Sequence, residues 1–222
     1  MKVAILDFCD TIVDFQTANA YALYTLECLH MHPFLRWILR QGFSRRYFKK
    51  HWMDEKRLLL YMLRGTGEES LTKTAEGYYN EMIKPHFQRP VVDEIQRLHE
   101  RGYDLYLVSG GYSIYIRFFA EEYGFERVIS NDFMYYNGVF TGRLCDKDCM
   151  GVEKVRRINM VLNKDDTEDS VSISDSISDL PILKWADRAI VVSKDSRRKW
   201  PEENGFDQMV LSEIYSESGS NI

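Results

Sequence analysis

The chain has 222 residues, of which 45% are hydrophobic and 28% are charged, and its formal net charge is −5. This composition suits a globular chain with a substantial core and excludes the disordered and fibrous classes. No apolar stretch reaches the roughly 20 residues that cross a bilayer, and the first residues lack the pattern of a signal peptide. We therefore expect a cytoplasmic protein whose four unevenly spaced cysteines are reduced thiols rather than disulfides or a zinc site.

Positive charge is concentrated in the first part of the chain. Residues 1–89 contain 13 Lys and Arg against 10 Asp and Glu, whereas residues 90–222 contain 16 against 24. Most of the excess lies between residues 36 and 57 among aromatic residues, a pattern that nucleic acid or anionic lipid can bind. A solvated helical face is the commoner explanation, and no nucleic-acid-binding signature is present. We predict no nucleic-acid partner and do not favour a membrane; the sequence does not indicate an oligomeric state.

Predicted strands and helices alternate along most of the chain. Four apolar runs rich in β-formers predict buried parallel strands at residues 2–6, 104–108, 171–174 and 189–192. Helical periodicity occurs in residues 91–101, 114–123, 153–162 and 180–185. This alternation predicts an α/β fold, a Rossmann-like parallel sheet with helices on both faces. The polar residues that end the strands then meet at the carboxyl edge of the sheet, where such folds place ligands.

Two segments interrupt this alternation. Residues 15–87 show helical periodicity and no clear strand, so we expect an inserted α-helical cap domain beside a core domain made of residues 1–14 and 88–222. In residues 132–142, the pair Asn137-Gly138 separates two β-prone runs, which predicts a β-hairpin flap with a type I′ turn. The polar segment from residue 195 onward carries no clear signal.

Polar residues with catalytic potential stand at the ends of the predicted strands and at one helix start. They are Asp7, Ser109, Gly110, Lys154, Asp175 and Asp179. A carboxylate that ends a buried strand needs cations or hydrogen-bond donors around it. The Ser-Gly pair offers a hydroxyl and an unhindered N–H to a phosphate, the lysine offers a cation, and the two later aspartates suit a hard divalent metal. Each has an ordinary explanation alone, as a turn, a cap or a solvated charge, but their joint order favours a catalytic site.

In order and residue type these motifs resemble those of the haloacid dehalogenase superfamily, and within it the phosphoserine phosphatase-like branch. The matching segments are residues 4–13 (AILDFCDTIV), 107–111 (LVSGG), 151–157 (GVEKVRR) and 174–181 (SDSISDLP). The helical insert resembles the cap of that branch, and residues 137–142 (NGVFTG) resemble the hairpin before its third motif. The resemblance spans about residues 3–192 and is much less informative about the substrate than about the superfamily.

The resemblance implies a Mg²⁺-dependent phosphomonoester hydrolase that acts through an aspartyl-phosphate on a small phosphorylated metabolite, with phosphoserine among the candidates. Asp7 would be the nucleophile, and Lys154 would hold both Asp7 and the transferring group. Ser109 and the Gly110 N–H would bind the phosphate. The implied Mg²⁺ ligands are Asp7, the backbone carbonyl of Cys9, Asp175, and Asp179 directly or through water.

The chain departs from the family pattern at Cys9. The family's phosphatases carry a second Asp there, which protonates the leaving alcohol and then activates water. A thiol with an ordinary pKa of about 8.5 can donate a proton but suits the base role poorly. Three explanations stay open: Cys9 does this work, a displaced Asp10 or a water does it, or turnover is slow. Cys9 is also open to oxidation if it is exposed.

Two other functions remain as alternatives to a working metabolite phosphatase. The first is a weakly catalytic or non-catalytic protein that binds a phosphorylated ligand, which the change at Cys9 would suit. The second is a lipid-phosphate phosphatase that uses the basic aromatic part of the insert at a membrane. Retention of the other motif residues argues against the first alternative.

Overall fold

The structure of the protein, a computed structural model, describes residues 1–34 and 55–219. Most of the basic aromatic stretch of the insert therefore lies outside the described residues. The strands are β1 (Lys2–Leu6), β2 (Tyr103–Tyr112), β3 (Arg127–Asn131), β4 (Phe133–Tyr136), β5 (Val139–Leu144), β6 (Asp169–Ser174), β7 (Arg188–Ser193) and β8 (Asp207–Val210).

Helices connect these strands and form the insert. The α-helices are α1 (Thr17–Cys28), α2 (Glu55–Met62), α3 (Glu68–Tyr78), α4 (Arg89–Glu100), α5 (Ser113–Glu122), α6 (Val152–Ile158), α7 (Leu180–Leu183), α8 (Lys199–Glu203) and α9 (Leu211–Gly219). A π-helical turn, Tyr79–Ile83, continues α3, and short 3-10 turns cover Lys84–His86, Lys164–Asp166 and Ile177–Asp179. No helix within residues 1–34 or 55–219 combines the length and the apolar character needed to span a membrane.

Six strands form one parallel sheet in the order β3-β2-β1-β6-β7-β8. Strand β1 lies inside it, with Lys2 paired to Tyr103 of β2 on one side and to Asp169 of β6 on the other. The side chains from Val3 to Leu6 are buried on both faces of the sheet, which explains their continuous apolar run. The predicted α/β fold is confirmed, and all four predicted strands are present.

The antiparallel hairpin of β4 and β5 is also present. At its turn Asn137 and Gly138 have φ values of 50° and 74°, as a type I′ turn requires. The hairpin is hydrogen-bonded to the loop between α2 and α3: the Gly65 N–H donates to the Phe140 carbonyl, and the Glu68 N–H donates to the Gly138 carbonyl, both at 2.9 Å. The flap and the helical insert are thus joined through their backbones.

The insert shares a hydrophobic cluster with the core. Tyr21 of α1 and Tyr78 of α3 pack with Tyr112, at the end of β2, and Tyr115 of α5. Ring centroids in this group lie 5.2–6.1 Å apart, and all four side chains are fully buried. Helices α1 and α3 of the insert therefore lie against the carboxyl end of β2. The candidate catalytic residues lie at this same edge of the sheet.

Candidate active site

A cavity of about 430 Å³ lies at the carboxyl edge of the sheet. Six of the seven predicted site residues line it: Asp7, Cys9, Gly110, Lys154, Asp175 and Asp179. The insert contributes Gln16, Ala18, Asn19, Glu55 and Lys56 to the same cavity. The fold therefore brings together residues that are up to 172 positions apart in the sequence.

The centre of the site is a buried array of one lysine between two carboxylates. Lys154 Nζ donates to Asp7 Oδ1 at 2.7 Å and to Asp179 Oδ2 at 2.6 Å. Burial alone would lower the pKa of the Lys154 ammonium, but the charges of Asp7 and Asp179 raise this pKa above its ordinary value. Burial raises the pKa of Asp7, and Lys154 opposes that rise. Lys154 is therefore a fixed positive charge beside the candidate nucleophile.

Thr11 connects the end of β1 to the end of β6. Its hydroxyl accepts a hydrogen bond from the Asp175 N–H at 3.0 Å, and lies 3.3 Å from Asp7 Oδ2 and 3.4 Å from Asp175 Oδ1. The Asp7 N–H continues the strand pairing by donating to the Ile173 carbonyl at 2.9 Å. These contacts set the two carboxylates side by side. Thr11 is not among the site residues that the sequence predicts.

The carboxylates form an excess of negative charge that suits a divalent cation. Asp179 Oδ1 is buried and has no hydrogen-bond partner among the described residues. Burial, together with the charges of Asp7, Asp10 and Asp179, raises the pKa of Asp175 to about 7. Within residues 1–34 and 55–219, no group of three or more His, Cys, Asp or Glu side chains is arranged to hold a metal ion. The carboxylates of Asp7 and Asp175 still fit Mg²⁺, with Asp179 binding directly or through water, because this ion uses one or two carboxylates and fills its remaining positions with water and substrate.

The Ser109-Gly110 segment differs from the open phosphate cradle that we predict. Strand β2 runs through it, and Ser109 is fully buried with its Oγ accepting the Gly111 N–H at 3.1 Å. Gly110 does line the cavity. A Cβ at this position would collide with Met150 Sδ, so glycine lets the loop before α6 pack closely against the end of β2. The backbone of Gly110, rather than the Ser109 hydroxyl, faces the cavity.

Cys9 is held away from solvent. Its Sγ lies 3.0 Å from Thr17 Oγ1, which in turn contacts the Tyr115 hydroxyl at 2.7 Å. Burial and the nearby charge of Asp7 raise the pKa of the Cys9 thiol to about 11. The thiol therefore keeps its proton at neutral pH and does not serve as a base. Its exposed fraction is only 9%, so the condition for facile oxidation is not met.

Asp10 is not among the residues that line the cavity. Its backbone has a φ of 55°, and its two carboxylate oxygens accept hydrogen bonds from Gln16 Nε2 at 2.6 Å and from Lys194 Nζ at 3.2 Å. Both oxygens of Asp10 are thus engaged by side-chain partners. Asp14, further along the same segment, pairs with His86 Nδ1 at 2.9 Å. The geometry disfavours a displaced Asp10 as the acid and base.

Residues 4–184 match the family model of haloacid dehalogenase-like hydrolases. The chain belongs to this family. It is also 27% identical over 103 residues to a phosphoserine phosphatase of Streptococcus thermophilus, a match that covers 46% of this chain and 48% of that protein. The match thus spans about half the length of this curated relative, and it confirms the resemblance to the phosphoserine phosphatase-like branch.

Solved structures share the fold of this haloacid dehalogenase-like hydrolase. A protein of unknown function from Bordetella pertussis Tohama I superposes with a TM-score of 0.81 at 20% identity, over 95% of this chain and 98% of that one. A structure described as a phospho-aspartyl intermediate analogue of phosphoserine phosphatase superposes with a TM-score of 0.55 at 19% identity, over 97% and 98% of the two chains. At these identities the likeness shows the fold alone.

Three residues of the hydrolase that the sequence did not indicate as site residues form a hydrogen-bonded group at the cavity, which Lys56 and Asp148 line and Asn131 supports from behind. Lys56 Nζ donates to both carboxylate oxygens of Asp148 at 2.7 Å and to the Gly110 carbonyl at 3.0 Å. Buried Asn131 donates from Nδ2 to the same carbonyl at 2.8 Å and to Asp148 Oδ1 at 2.7 Å. The sequence shows Lys56 only as one of many basic residues in the insert, and neither Asp148 nor Asn131 lies in a recognisable motif.

Proposed function

We propose that this family member is a Mg²⁺-dependent phosphomonoester hydrolase that passes a phosphoryl group through Asp7. The observation that carries the proposal is the buried Asp7–Lys154–Asp179 array, which presents one strand-end carboxylate to the cavity beside a fixed cation. The phospho-aspartyl analogue named for a phosphoserine phosphatase of the same fold supports this choice of nucleophile.

The chain's own residues would act in two steps. An oxygen of Asp7 bonds to phosphorus while the bond from phosphorus to the ester oxygen breaks, and the departing alkoxide takes a proton. Water then attacks the same phosphorus, releasing inorganic phosphate and restoring Asp7. Lys154 balances the charge on Asp7 and on the transferring oxygens, and the Gly110 N–H binds one of those oxygens. Asp7, the Cys9 carbonyl and Asp175, with Asp179 directly or through water, would hold Mg²⁺, which would further neutralise the phosphate charge when bound.

Position 9 would limit the rate of this reaction. A thiol with a pKa of about 11 can give a proton to the alkoxide but does not take one from water at neutral pH. We propose that Cys9 gives its proton to the departing alkoxide and that solvent re-protonates the resulting thiolate, whose pKa is about 11, before water attacks. The neutral thiol then offers no base to the attacking water, which loses its proton to solvent, so hydrolysis of the phosphoenzyme is the slow step. A weakly catalytic or non-catalytic phosphate-binding protein is the one alternative that this observation favours. Release of one leaving group per chain without further turnover would support it.

Replacing Cys9 by Asp tests the role of this position. A general acid or base contributes about 10²–10⁴-fold in rate, so we expect Cys9→Asp to raise kcat by at least about tenfold. Cys9→Ser is the matched control, because it keeps the size and the contact to Thr17 without adding a base. The readout is steady-state release of phosphate. A folded Cys9→Asp protein that loses activity would instead indicate a role specific to the thiol.

The substrate would be a small phosphorylated metabolite bound between the core and the insert, whose residues 15–87 we propose act as the cap. Phosphoserine is a candidate because a curated relative carries that name, and the polar insert side chains Gln16, Asn19 and Glu55 line the cavity. The test is a phosphatase screen over amino-acid, sugar, nucleotide and lipid-headgroup phosphates, with Mg²⁺ and with a chelator. Chelator-insensitive release, or no release from any class, would contradict the proposal.

The lipid-phosphate alternative rests on the basic aromatic stretch of the insert. Most of that stretch lies outside the described residues, and no contact within them favours a membrane surface. It remains a prediction that the lipid-headgroup arm of the screen tests, together with salt-sensitive binding to anionic vesicles. The cytoplasmic location likewise stays a sequence-based proposal.

A further inference from the structure

A second cavity of about 560 Å³ adjoins the first one. It lies between α2 of the insert, strand β5 of the hairpin and the loop that follows β5. Lys56 and Asp148 line both cavities, so their ion pair stands at the boundary between them. A ligand that extends out of the candidate active site past this ion pair enters the second cavity.

Positive charge dominates the walls of the second cavity. Arg57, Arg143 and Lys147 line it, and none of these side chains forms an ion pair or hydrogen bond with another described residue. The cavity also contains Asp146, but Arg156 already contacts that carboxylate at 2.8 Å. Asp148 is likewise occupied by Lys56. Among the described residues, these three cations therefore have no carboxylate partner, in a protein whose net charge is −5.

The three cations come from separate parts of the chain. Arg57 belongs to α2, Arg143 to β5, and Lys147 to the loop after β5, so the fold brings α2 of the insert to the hairpin and its loop. Leu60, Tyr61 and Leu144 form the less polar part of the same wall. A concave surface lined by one sign of charge concentrates the field and attracts ions of the opposite sign. Arginine side chains in such a place suit planar or tetrahedral oxyanions, which they can bind through paired N–H groups.

We propose that the second cavity, through Arg57, Arg143 and Lys147, binds a second anionic group carried by the leaving-group end of the substrate. The substrate class is then a phosphomonoester with a distal carboxylate or phosphate, long enough to pass the Lys56–Asp148 pair. This inference rests on the proposed function, because the first cavity must hold the reacting phosphate. It makes the insert and the hairpin together responsible for selecting the substrate.

A series of synthetic esters tests this inference. Phosphate esters of ω-hydroxy carboxylic acids of increasing chain length are compared with alkyl phosphates of the same lengths, and α,ω-alkanediol bisphosphates form a third arm. We expect kcat/KM for the anionic esters to exceed that for the neutral ones by about tenfold or more once the chain spans both cavities. The two anionic arms show whether carboxylate or phosphate is preferred.

Variants then locate the second site. In Arg57→Gln, Arg143→Gln and Lys147→Gln we expect the ratio of kcat/KM for the anionic ester to that for the neutral ester to fall several-fold each. Arg188→Gln is the matched control, because Arg188 is an exposed arginine at the amino end of β7, far from both cavities. An equal kcat/KM for charged and neutral esters at every length, or a ratio that the three variants leave unchanged, would overturn the inference.

A binding measurement separates this inference from the proposed function. Calorimetry compares ω-phosphonocarboxylates with alkylphosphonates, which need no turnover. Tighter binding of the former, weakened in the Arg57→Gln/Arg143→Gln/Lys147→Gln protein, would support the second site even if p-nitrophenyl phosphate were not hydrolysed, and the proposed function alone would then have failed. Equal binding of the two series, with p-nitrophenyl phosphate hydrolysed, would overturn the second site and leave the proposed function standing.

Discussion

The neighbours of Cys9 decide its chemistry. Its Sγ contacts Thr17 Oγ1, Asp7 lies close by in the same turn, and water has almost no access. A low-dielectric setting beside a carboxylate disfavours a thiolate, which raises the thiol pKa. In contrast, Lys154 stays charged although it is buried, because two carboxylates surround its ammonium. Two buried titratable groups in the same site thus differ in charge: the Cys9 thiol is neutral and the Lys154 ammonium is positive, each because of its contacts.

Thiol labelling tests this description of the cysteines. Cys28 and Cys145 are exposed, whereas Cys9 and Cys149 are buried and have thiol pKa values raised to about 11, chiefly by burial. Because alkylation needs an accessible thiolate, we expect iodoacetamide at neutral pH to modify the two exposed thiols first. Peptide mass mapping over time measures the order, and labelling in urea, where all four should react, is the control. Early modification of Cys9 in the folded protein would contradict the assignment.

Among the structural elements, the hairpin has a central place because it contacts both the core and the insert. Phe140 of β5 is 1% exposed and stacks on Phe133 with ring centroids 4.4 Å apart. Its backbone also accepts the Gly65 N–H from the loop between α2 and α3. The packing of the Phe140 side chain and the hydrogen bond from Gly65 to its carbonyl therefore connect the hairpin, the core and the insert.

Truncating Phe140 should destabilise the whole protein. Phe→Ala changes in a core cost about 3–5 kcal/mol through lost burial and the cavity left behind, so we expect Phe140→Ala to lower the free energy of unfolding by about that amount. Tyr136→Ala on the same hairpin is the control, because Tyr136 is 73% exposed and should change stability little. Urea titration measures both. Equal midpoints for Phe140→Ala and the wild-type protein would show that the hairpin is not part of the core.

The elements that the sequence predicts and those it misses differ in a physical way. Buried strands such as β1 have continuous apolar runs that local patterns reveal, whereas β3 and β8 occupy the two edges of the sheet. Their residues RVISN and DQMV are partly exposed and partly polar, so no apolar run marks them. Helix α6 ends at Ile158 rather than at residue 162, yet hydrogen-bonded turns continue and bury Leu162, which accounts for the longer helical pattern.

The sequence likewise predicts some residues of the candidate site and misses others. Residues in short motifs, such as Asp7 and Lys154, were predictable because their types and order carry the chemistry. The Lys56–Asp148 pair was not, since it joins residues 92 positions apart through tertiary packing. The buried position of Ser109 and the left-handed backbone of Asp10, with its bonds to Gln16 and Lys194, depend on backbone conformation, which a sequence pattern does not specify. Local chemistry was therefore visible in the sequence, and long-range geometry was not.

At the scale of the whole molecule, the insert and the core share one hydrophobic cluster. It includes Leu6 and Leu107 of the sheet as well as Tyr21 and Leu71 of the insert. The division of the chain into a core domain (residues 1–14 and 88–222) and a cap domain (residues 15–87) remains a prediction. For folding, the shared cluster indicates that the described parts of both depend on each other.

Unfolding should therefore occur in one transition. Because the same buried side chains support both parts, we expect the urea transitions followed by far-UV circular dichroism and by intrinsic fluorescence to coincide. The variant Gly111→Ala tests the same expectation at one site in the shared cluster. A Cβ there would lie 2.7 Å from the Tyr115 hydroxyl and 2.8 Å from Ile116 Cδ1. Overpacking of this kind costs about 1–3 kcal/mol and should shift both probes equally. Two separated transitions would show that the insert folds independently.

The central claim is that Asp7 carries the phosphoryl group. The most direct test is acid quenching of the protein during turnover of p-nitrophenyl phosphate with Mg²⁺, followed by peptide mass spectrometry. We expect a phosphoryl group on Asp7 in the wild-type protein, no such adduct and no turnover in Asp7→Asn, and wild-type labelling of Asp7 in the control Asp14→Asn. Phosphate release by Asp7→Asn at the wild-type rate, or an adduct on another residue, would contradict it.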